Sequence, residues 1–410
     1  VLDLTPAVAL LQSEDAAGLL RAALTGSADI AVPDLSAELT TWQYRPGAEV
    51  TAGYRVSYSG GGGEVVDHLF ATTAEVGPPA ATVAAGPLAF RVWRHPHDPR
   101  LPGLAAACDP DEVQAWPGVG PGLSRLDLLG YRPLRRAVLR ATSATGDTYV
   151  KVLRPERAEH LAVRQRLFAE AGLTPALAGR PAPGVLVTPA ADGVSLATML
   201  AGPDDLPGPA VLVEVLDRLP AGLVELARRP AWSDRLDFHA ATASQRLPDQ
   251  AGRIEALVPR IRRVLATVPV GAVVPTHGDF YEANVMVAGD RLGLIDLENA
   301  GPGLREDDLA CLLAHLAVLP GLSPTHYGRV PDVLAEWTRD FSARVHPAAL
   351  AARVAGVLLS LVAGGEDDQA RHRLDLAESW ALRSMREPSS AGSGPTDCGA
   401  ASLNEQQEAR

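Results

Sequence analysis

Lysine is nearly missing from this chain of 410 residues: among its 37 basic residues only Lys151 is a lysine, and all the others are arginine. A GC-rich coding bias, which also favours alanine, glycine and proline, accounts for the arginines and leaves the exception unexplained. The two residues interchange cheaply on a surface, but not where a compact ammonium on a thin stem enters a narrow pocket, so Lys151 is marked as functional. Cysteine is scarce as well. Cys108, Cys311 and Cys398 are too few and too scattered for a disulfide framework or a zinc site, which fits a reducing compartment. No apolar run reaches the ~18 residues that cross a bilayer. The opening VLDLTPAVALLQSEDAAG has no basic segment ahead of its apolar stretch, so no secretory signal is read there. Positive charge is in deficit, with a formal net charge of −12, and such a chain has no global field to attract nucleic acid or anionic lipid. These absences together predict a cytoplasmic protein whose partner is a small molecule, with neither nucleic acid nor membrane as a primary partner.

What is present is an ordinary globular composition, 47% hydrophobic and 21% charged, and a length that suggests two or three domains at ~150 residues each. SEDAAGLLRAAL predicts a helix capped by Ser13. Residues 53–59 and 64–70 flank SGGGG and predict a β-hairpin; without a Gly-Lys-Ser/Thr ending or a following helix, that glycine run is not a phosphate loop. Residues 95–122, rich in Pro and Gly, read as a connector, and His95, His97 and Asp98 within it as a surface turn. TyrArgPro occurs at 44–46 and again at 131–133, a faint internal echo. A second hairpin, 135–142 and 147–153, turns at Gly146. Its alternation puts Tyr149, Lys151 and Leu153 on one face and Val150 and Val152 on the other. An ammonium placed mid-strand between valines is costly unless an anion meets it.

A helix over 156–171 follows, started by Pro155, and then GVLVTPAADGVSL (184–196), a buried strand breaking into a loop. Beyond residue 197 the pattern is mostly helical. Ile254, Leu257, Val258, Ile261, Val264 and Leu265 form one helix face, with Pro259 expected to kink or interrupt it. Further helices are expected at 306–319, 329–344, 348–362 and 366–384, with Cys311 in an apolar stripe. From Glu387 onward the composition is that of a disordered tail.

Residues 271–310 interrupt the helices. VMV (285–287) and LGLI (292–295) flank a turn at AGDR, preceded by His277-Gly278-Asp279-x-x-x-x-Asn284 and followed by Asp296. Asp279, Asn284 and Asp296 thus lie at strand ends on one side of a hairpin, where their oxygens can converge. A few hard oxygen ligands without His or Cys suit Mg²⁺, which keeps waters and shares substrate phosphates. A further loop carboxylate can accept a hydroxyl proton.

His-Gly-Asp-x-x-x-x-Asn, a short hairpin, Ile-Asp, and Asp308-Leu309-Ala310 opening a helix resemble the aminoglycoside phosphotransferase and choline kinase branch of the protein kinase-like fold. The upstream lysine strand Tyr149-Val150-Lys151-Val152 and the hinge strand follow the same order, and the likeness spans about 126–385. It implies an α+β, bilobal protein: a small β-rich lobe with hinge at 126–191 and a helical lobe at 192–386, with a cap region at 1–125 and a tail at 387–410. That cap, with its hairpin, is similar to the cap of maltokinase-like sugar kinases. Carried over, the family implies ATP and Mg²⁺ as cofactors and a small-molecule hydroxyl as acceptor. Lys151 would hold the α- and β-phosphates, Asp279 would be the catalytic base, Asn284 and Asp296 would bind Mg²⁺, and His277 would brace the loop. Thr188 to Ala191, including Ala190, would be the hinge, with Tyr149 bordering the adenine.

The chain also departs from the family pattern. The helix glutamate that pairs with the lysine has only Glu159 as its nearest candidate, with Leu161 and Gln165 around the aligned position. The first turn of the small lobe, LLGYRPLRR, is poor in glycine. Glu298 is a supporting candidate and Glu282 an acceptor-binding one. Asp308 is expected to cap the helix start and is a further acceptor candidate, and Asp234, Asp237 and Trp380 are candidates to line the acceptor pocket. The resemblance thus implies an ATP-dependent kinase whose acceptor is an aminoglycoside, an amino sugar or another sugar, or an amino alcohol, and the cap's likeness to maltokinase-like kinases favours a sugar, amino sugar or aminoglycoside. The alternative is a regulatory pseudokinase, against which stand the intact Lys151, Asp279, Asn284 and Asp296.

Overall fold

The chain opens with helices α1 (Thr5–Gln12) and α2 (Ala16–Thr25), followed by strands β1 (Ser36–Arg45), β2 (Glu49–Gly60), β3 (Gly63–Thr72), β4 (Ala81–Ala85) and β5 (Leu88–Arg94). They belong to a computed structural model that describes residues 3–25, 34–45, 47–60 and 63–385. The tail expected at 387–410, with Cys398, lies outside those residues, as does part of the SGGGG tip. The strands form an antiparallel sheet in the order β1-β2-β3-β5-β4. Alternation along β2 buries Val50, Ala52, Tyr54, Val56 and Tyr58 in the same core as Ala7 and Leu11 of α1 and Leu19 and Leu20 of α2. Tyr54 Oη donates to Leu11 O at 2.5 Å, fixing α1 to the sheet. Opposite Gly53 on β3 lies Phe70. A Cβ at Gly53 would collide with the Phe70 ring, so glycine is needed there for the ring to lie against the strand. Ser13 ends α1, and its hydroxyl also accepts Asp15 N at 3.2 Å in the turn leading into α2.

Residues 95–122 are not a bare connector. They form α3 (Leu104–Ala107) and α4 (Pro110–Gln114), the latter capped by Asp109. Next come β6 (Arg125–Arg132), β7 (Arg136–Ser143), β8 (Gly146–Leu153), helix α5 (Pro155–Glu170) and β9 (Val185–Pro189). The four strands make one sheet in chain order. One face is apolar apart from Thr148: Ala137, Leu139, Ala141, Val150, Val152, Val185 and Val187 pack with Leu101, Leu104, Val113 and Trp116. The segment that looked like a linker therefore seals one side of this sheet, which leaves the face of Lys151 as the open one.

The chain then runs through β10 (Val194–Ser195), α6 (Leu196–Ala201), α7 (Pro209–Asp217), α8 (Leu236–Arg246), α9 (Ala251–Thr267), β11 (Val273–Thr276), β12 (Val285–Ala288), β13 (Arg291–Leu294) and β14 (Gly301–Leu304). Four helices complete it: α10 (Arg305–Leu322), α11 (Val330–Arg344), α12 (Pro347–Leu361) and α13 (Asp367–Ser384). The whole is an α+β protein. Helix α9 runs through Pro259 without a break.

Packing divides the chain into two units. The first is Val1–Leu196, Glu214–Leu226 and Ala283–Gly301; the second is Ala197–Val213, Ala227–Glu282 and Pro302–Arg410. The first unit holds both sheets described above and a small sheet in the order β10-β12-β13. The second is helical, centred on the apolar α10 and on α12, whose small residues bring neighbouring chain close. At Gly356, for example, an added Cβ would lie 3.2 Å from Ser233 Cα. Among the described residues no helix is long and apolar enough to cross a membrane.

Candidate active site

Lys151 lies on β8 opposite Val138 of β7 and Leu186 of β9. Its neighbours Val150 and Val152 are fully buried on the other face. The ammonium is met by an anion, as its setting requires. Nζ lies 2.9 Å from Asp296 Oδ1 and 3.6 Å from Glu298 Oε1. Arg136, at the start of β7, lies 3.1 Å from the same Glu298 oxygen and 3.9 Å from the same Asp296 oxygen. All four side chains, two cations and two carboxylates, keep 24–29% of their surface exposed. This is a shallow, partly exposed cluster rather than a sealed ion pair.

The sequence builds the anionic half locally. β12 and β13 pair from Val285↔Leu294 to Ala288↔Arg291, and Ile295 N donates to Asn284 O at 3.0 Å. That bond sets Asn284 beside the chain entering Asp296. Asp296 itself is left-handed, φ +60°, ψ +59°, a conformation that a non-glycine residue adopts at a cost of ~1–3 kcal/mol and that is concentrated at functional sites. The following loop is anchored by Arg164 of α5, a buried side chain whose Nε donates to Ala300 O at 2.7 Å. Asn284 and Asp296 offer oxygen only and flank one short ladder, a donor set that fits Mg²⁺ bound through one or two protein ligands plus phosphates.

The expected helix partner of Lys151 is corrected. Glu159 is exposed and pairs with Arg180, while Asp296 and Glu298 take the lysine. Gln165, near the aligned position, instead donates to Pro175 O at 2.7 Å. Arg136 was not among the expected site residues. The signal was available, because β7 and β8 are a hairpin in register and Arg136 lies diagonal to Lys151 on the same face. Tyr149 shares that face and lies opposite Thr188. Ala190 N donates to Asp147 O at 3.0 Å, fixing the segment after β9.

In the second unit, His277 and Gly278 are held by one carboxylate. Asp308 is fully buried, and its two oxygens each accept a backbone N–H, from His277 and from Gly278, both at 2.8 Å. Burial outweighs those bonds and pushes its carboxyl up to about 7. Gly278 is at φ +77°, which side chains rarely adopt, so the turn before Asp279 requires glycine. Asp308 is therefore a brace and, being sealed, not an acceptor-binding residue. Cys311 of α10 is buried with its thiol 4.0 Å from Asp279 Oδ1. His277 is fully buried, its ring 6.3 Å from that of Phe280. Glu282 is 5% exposed, and burial pushes its carboxyl up to about 7. That seclusion also removes it from the surface offered to an acceptor. Tyr281 stacks on His315 with ring centroids 4.2 Å apart.

The remaining acidic acceptor candidates are occupied elsewhere. Asp234 pairs with Arg228 and Asp237 with Arg262, whereas Trp380, with Arg383 over its ring, lines a cavity with Thr338, Ser342 and His346. Asp98 is not on a surface turn. It is 3% exposed and accepts from Tyr131 Oη and Leu134 N, both at 2.7 Å. The TyrArgPro echo is not matched in burial, since Tyr44 is exposed whereas Tyr131 packs against the Phe70–Trp93 cluster.

The sequence model of a phosphotransferase enzyme family matches residues 131–337, which include every residue of the four-membered charge cluster and the 277–284 loop. No curated protein sequence matches the chain. Among solved structures it is similar to a choline/ethanolamine kinase family protein from Mesorhizobium loti, at 20% identity over 67% of this chain and 92% of that one, TM-score 0.45. It is also similar to the choline kinase LicA of Streptococcus pneumoniae, at 14% identity over 64% and 94%, TM-score 0.42. A third is a thermostable mutant of aminoglycoside phosphotransferase APH(4)-Ia in complex with ADP and hygromycin B, at 16% identity over 65% and 96%, TM-score 0.44.

Proposed function

The chain belongs to the phosphotransferase enzyme family and is an ATP-dependent small-molecule kinase, and we propose that it transfers the γ-phosphoryl group of Mg·ATP to a hydroxyl of a sugar, amino sugar or aminoglycoside. The observation that carries this reading is the charge cluster itself: the chain's one lysine set against the Ile-Asp carboxylate, with Asn284 held alongside. Phosphoryl transfer depends on positioning and charge neutralisation far more than on covalent help. Lys151 supplies a compact cation for the α- and β-phosphates. Asn284 and Asp296 would hold Mg²⁺, which when bound neutralises charge on the phosphates. Tyr149 and the backbone of Thr188 to Ala190 border the purine. Asp279 orients the acceptor hydroxyl and takes its proton, and Asp308 keeps the turn before it in shape.

The sugar class is supported by the resemblance of residues 1–125 to the cap of maltokinase-like kinases, an analogy of fold rather than of site. The test is a coupled ADP-release screen over sugars, amino sugars, aminoglycosides and amino alcohols. Turnover with one of the first three classes, lost in Asp279→Ala, supports the reading. Turnover only with an amino alcohol contradicts the acceptor class. Mg·ATP binding without turnover on any acceptor points to the regulatory pseudokinase instead.

A further inference from the structure

We propose that Arg136 is a second phosphate-binding cation of the nucleotide site, and that Asp98, outside the family-matched region, is the positioning residue that keeps it there. This rests on the reading of Lys151 as the nucleotide lysine.

The first turn of the small sheet, residues 132–136, is where a glycine-rich loop would wrap phosphates with backbone N–H groups. Here it is Arg-Pro-Leu-Arg-Arg, which supplies no such loop. What it supplies is Arg136, whose guanidinium shares both carboxylates with Lys151, at 3.1 Å from Glu298 and 3.9 Å from Asp296. A guanidinium fork binds phosphate oxygens bidentately and does not deprotonate. With Arg136 beside Lys151, a triphosphate meets two cations on one sheet face, and Glu298 holds the fork at that face until phosphate replaces it.

The turn is set by long-range bonds. Leu134 stands at φ +62°, an uncommon conformation for a branched side chain, and is 2% exposed. Both ends of the residue are tied. Its N–H goes to Asp98 Oδ2 at 2.7 Å, and its carbonyl accepts Arg154 Nε at 2.7 Å. The same Asp98 oxygen accepts Tyr131 Oη at 2.7 Å, and Tyr131 Oη accepts Trp93 Nε1 at 3.2 Å. Phe70, Trp93 and Leu134 form one buried cluster, with the Phe70 and Tyr131 rings edge to face at 5.0 Å. Thus the N-terminal sheet, through β3, β5 and the segment after β5, grips the residues on both sides of Pro133, and Arg136 follows two residues after the left-handed Leu134. A carboxylate with two donors on one oxygen is an expensive group to place in a core; here Oδ2 serves the end of β6 and the turn that carries Arg136, while Oδ1 accepts Arg100 N at 2.8 Å.

The experiment measures Mg·ATP and AMP affinity by calorimetry on the full chain and its variants. Arg136→Gln is expected to weaken Mg·ATP by about tenfold or more, with AMP changed by less than about twofold, because the lost contact is to the outer phosphates. Arg136→Lys recovers part of the loss. Asp98→Ala shifts the ATP-to-AMP ratio in the same direction, and the double variant is no worse than Arg136→Gln alone, since Asp98 acts through Arg136. If Asp98→Ala does not fold, Asp98→Asn and Tyr131→Phe carry the same comparison. Wild-type Mg·ATP affinity in Arg136→Gln overturns the proposal. So does a loss in Asp98→Ala that is equal for ATP and AMP, or that adds to that of Arg136→Gln. A wild-type chain that binds no nucleotide overturns the kinase reading itself, and this proposal with it.

Discussion

Lys151 Nζ lies 2.9 Å from Asp296 Oδ1, a contact between residues 145 apart in sequence. It joins the β7–β8 hairpin to the loop after β13 at a place where each partner needs the other. Lys151 is a charge rooted between buried valines, and Asp296 is a carboxylate on a left-handed backbone. Neither position is comfortable as structure alone, and in the proposed function the nucleotide uses both charges.

Lys151→Arg preserves the charge but replaces a thin ammonium with a broad fork beside Arg136, already in the cluster. Turnover is expected to fall by about a hundredfold or more, while the thermal midpoint moves by less than about 3 °C, since only a partly exposed pair is disturbed. Steady-state kinetics and a melting curve check this. A fully active variant would contradict the assignment of Lys151.

Asp279→Ala removes the proposed base and leaves Lys151, Arg136, Asp296 and Glu298 as they are in sequence. The expected result is a fall in kcat of about 10²–10⁴, with Mg·ATP affinity within about twofold of wild type. Single-turnover kinetics beside calorimetry separates the two effects. Equal losses in affinity and rate would remove Asp279 from the chemistry.

Asp308→Asn puts an amide donor where a buried backbone N–H now finds an acceptor. One of the bonds to His277 or Gly278 is lost and a donor left facing a donor, at a cost of about 1–3 kcal/mol. Urea unfolding measures it. An unchanged midpoint would show that the brace does not contribute to stability.

Stability carries opposing pH dependences from buried groups. Burial, with Arg373 nearby, lowers His315 from its ordinary 6.5 to about 4. The unfolded chain therefore takes up a proton that the folded chain refuses, and this contribution, complete above about 6.5, is lost as pH falls toward 4. Asp308, raised to about 7, acts in the reverse sense: its contribution is complete below about 4 and is lost as pH rises through 7. His315→Gln deletes only the first. Its urea midpoint relative to wild type is expected to improve steadily from pH 7 to pH 4.5, whatever the offset from losing the Tyr281 stack. A difference independent of pH would show that His315 does not titrate in this way.

Much of this was legible in local pattern. The two hairpins, helices α5, α9 and α10 to α13, and the strand pair flanking Asn284 and Asp296 follow from periodicities of two and 3.6 and from turn residues. The face of Lys151 followed from strand alternation alone. What local pattern does not carry is which distant group meets which. Lys151 takes Asp296 and Glu298 because the β13 loop is brought to the sheet by Arg164 and Ala300, and nothing near Glu159 in sequence says so. Asp98 looked like part of a solvent-facing turn because its neighbours are Pro and His; one oxygen does accept Arg100 N within that turn, but the other is met by Tyr131 and Leu134, more than thirty residues away. Residues 95–122 read as a connector because short helices built from Ala, Pro and Gly have little periodicity. Their role shows only in what they cover. Strands β1, β4 and β5 were missed because β1 is mostly polar with no buried residue to set an alternation, and β4 and β5 are short runs.

The most direct measurement is the Mg²⁺ dependence of ATP binding in wild type and in Asp296→Asn, by calorimetry with and without the metal. Wild type should bind ATP about tenfold or more tightly when Mg²⁺ is present, and Asp296→Asn should lose most of that gain. An Asp296→Asn chain whose ATP binding responds to Mg²⁺ as wild type does would contradict the placement of the metal and the nucleotide phosphates at the Lys151–Asp296 cluster.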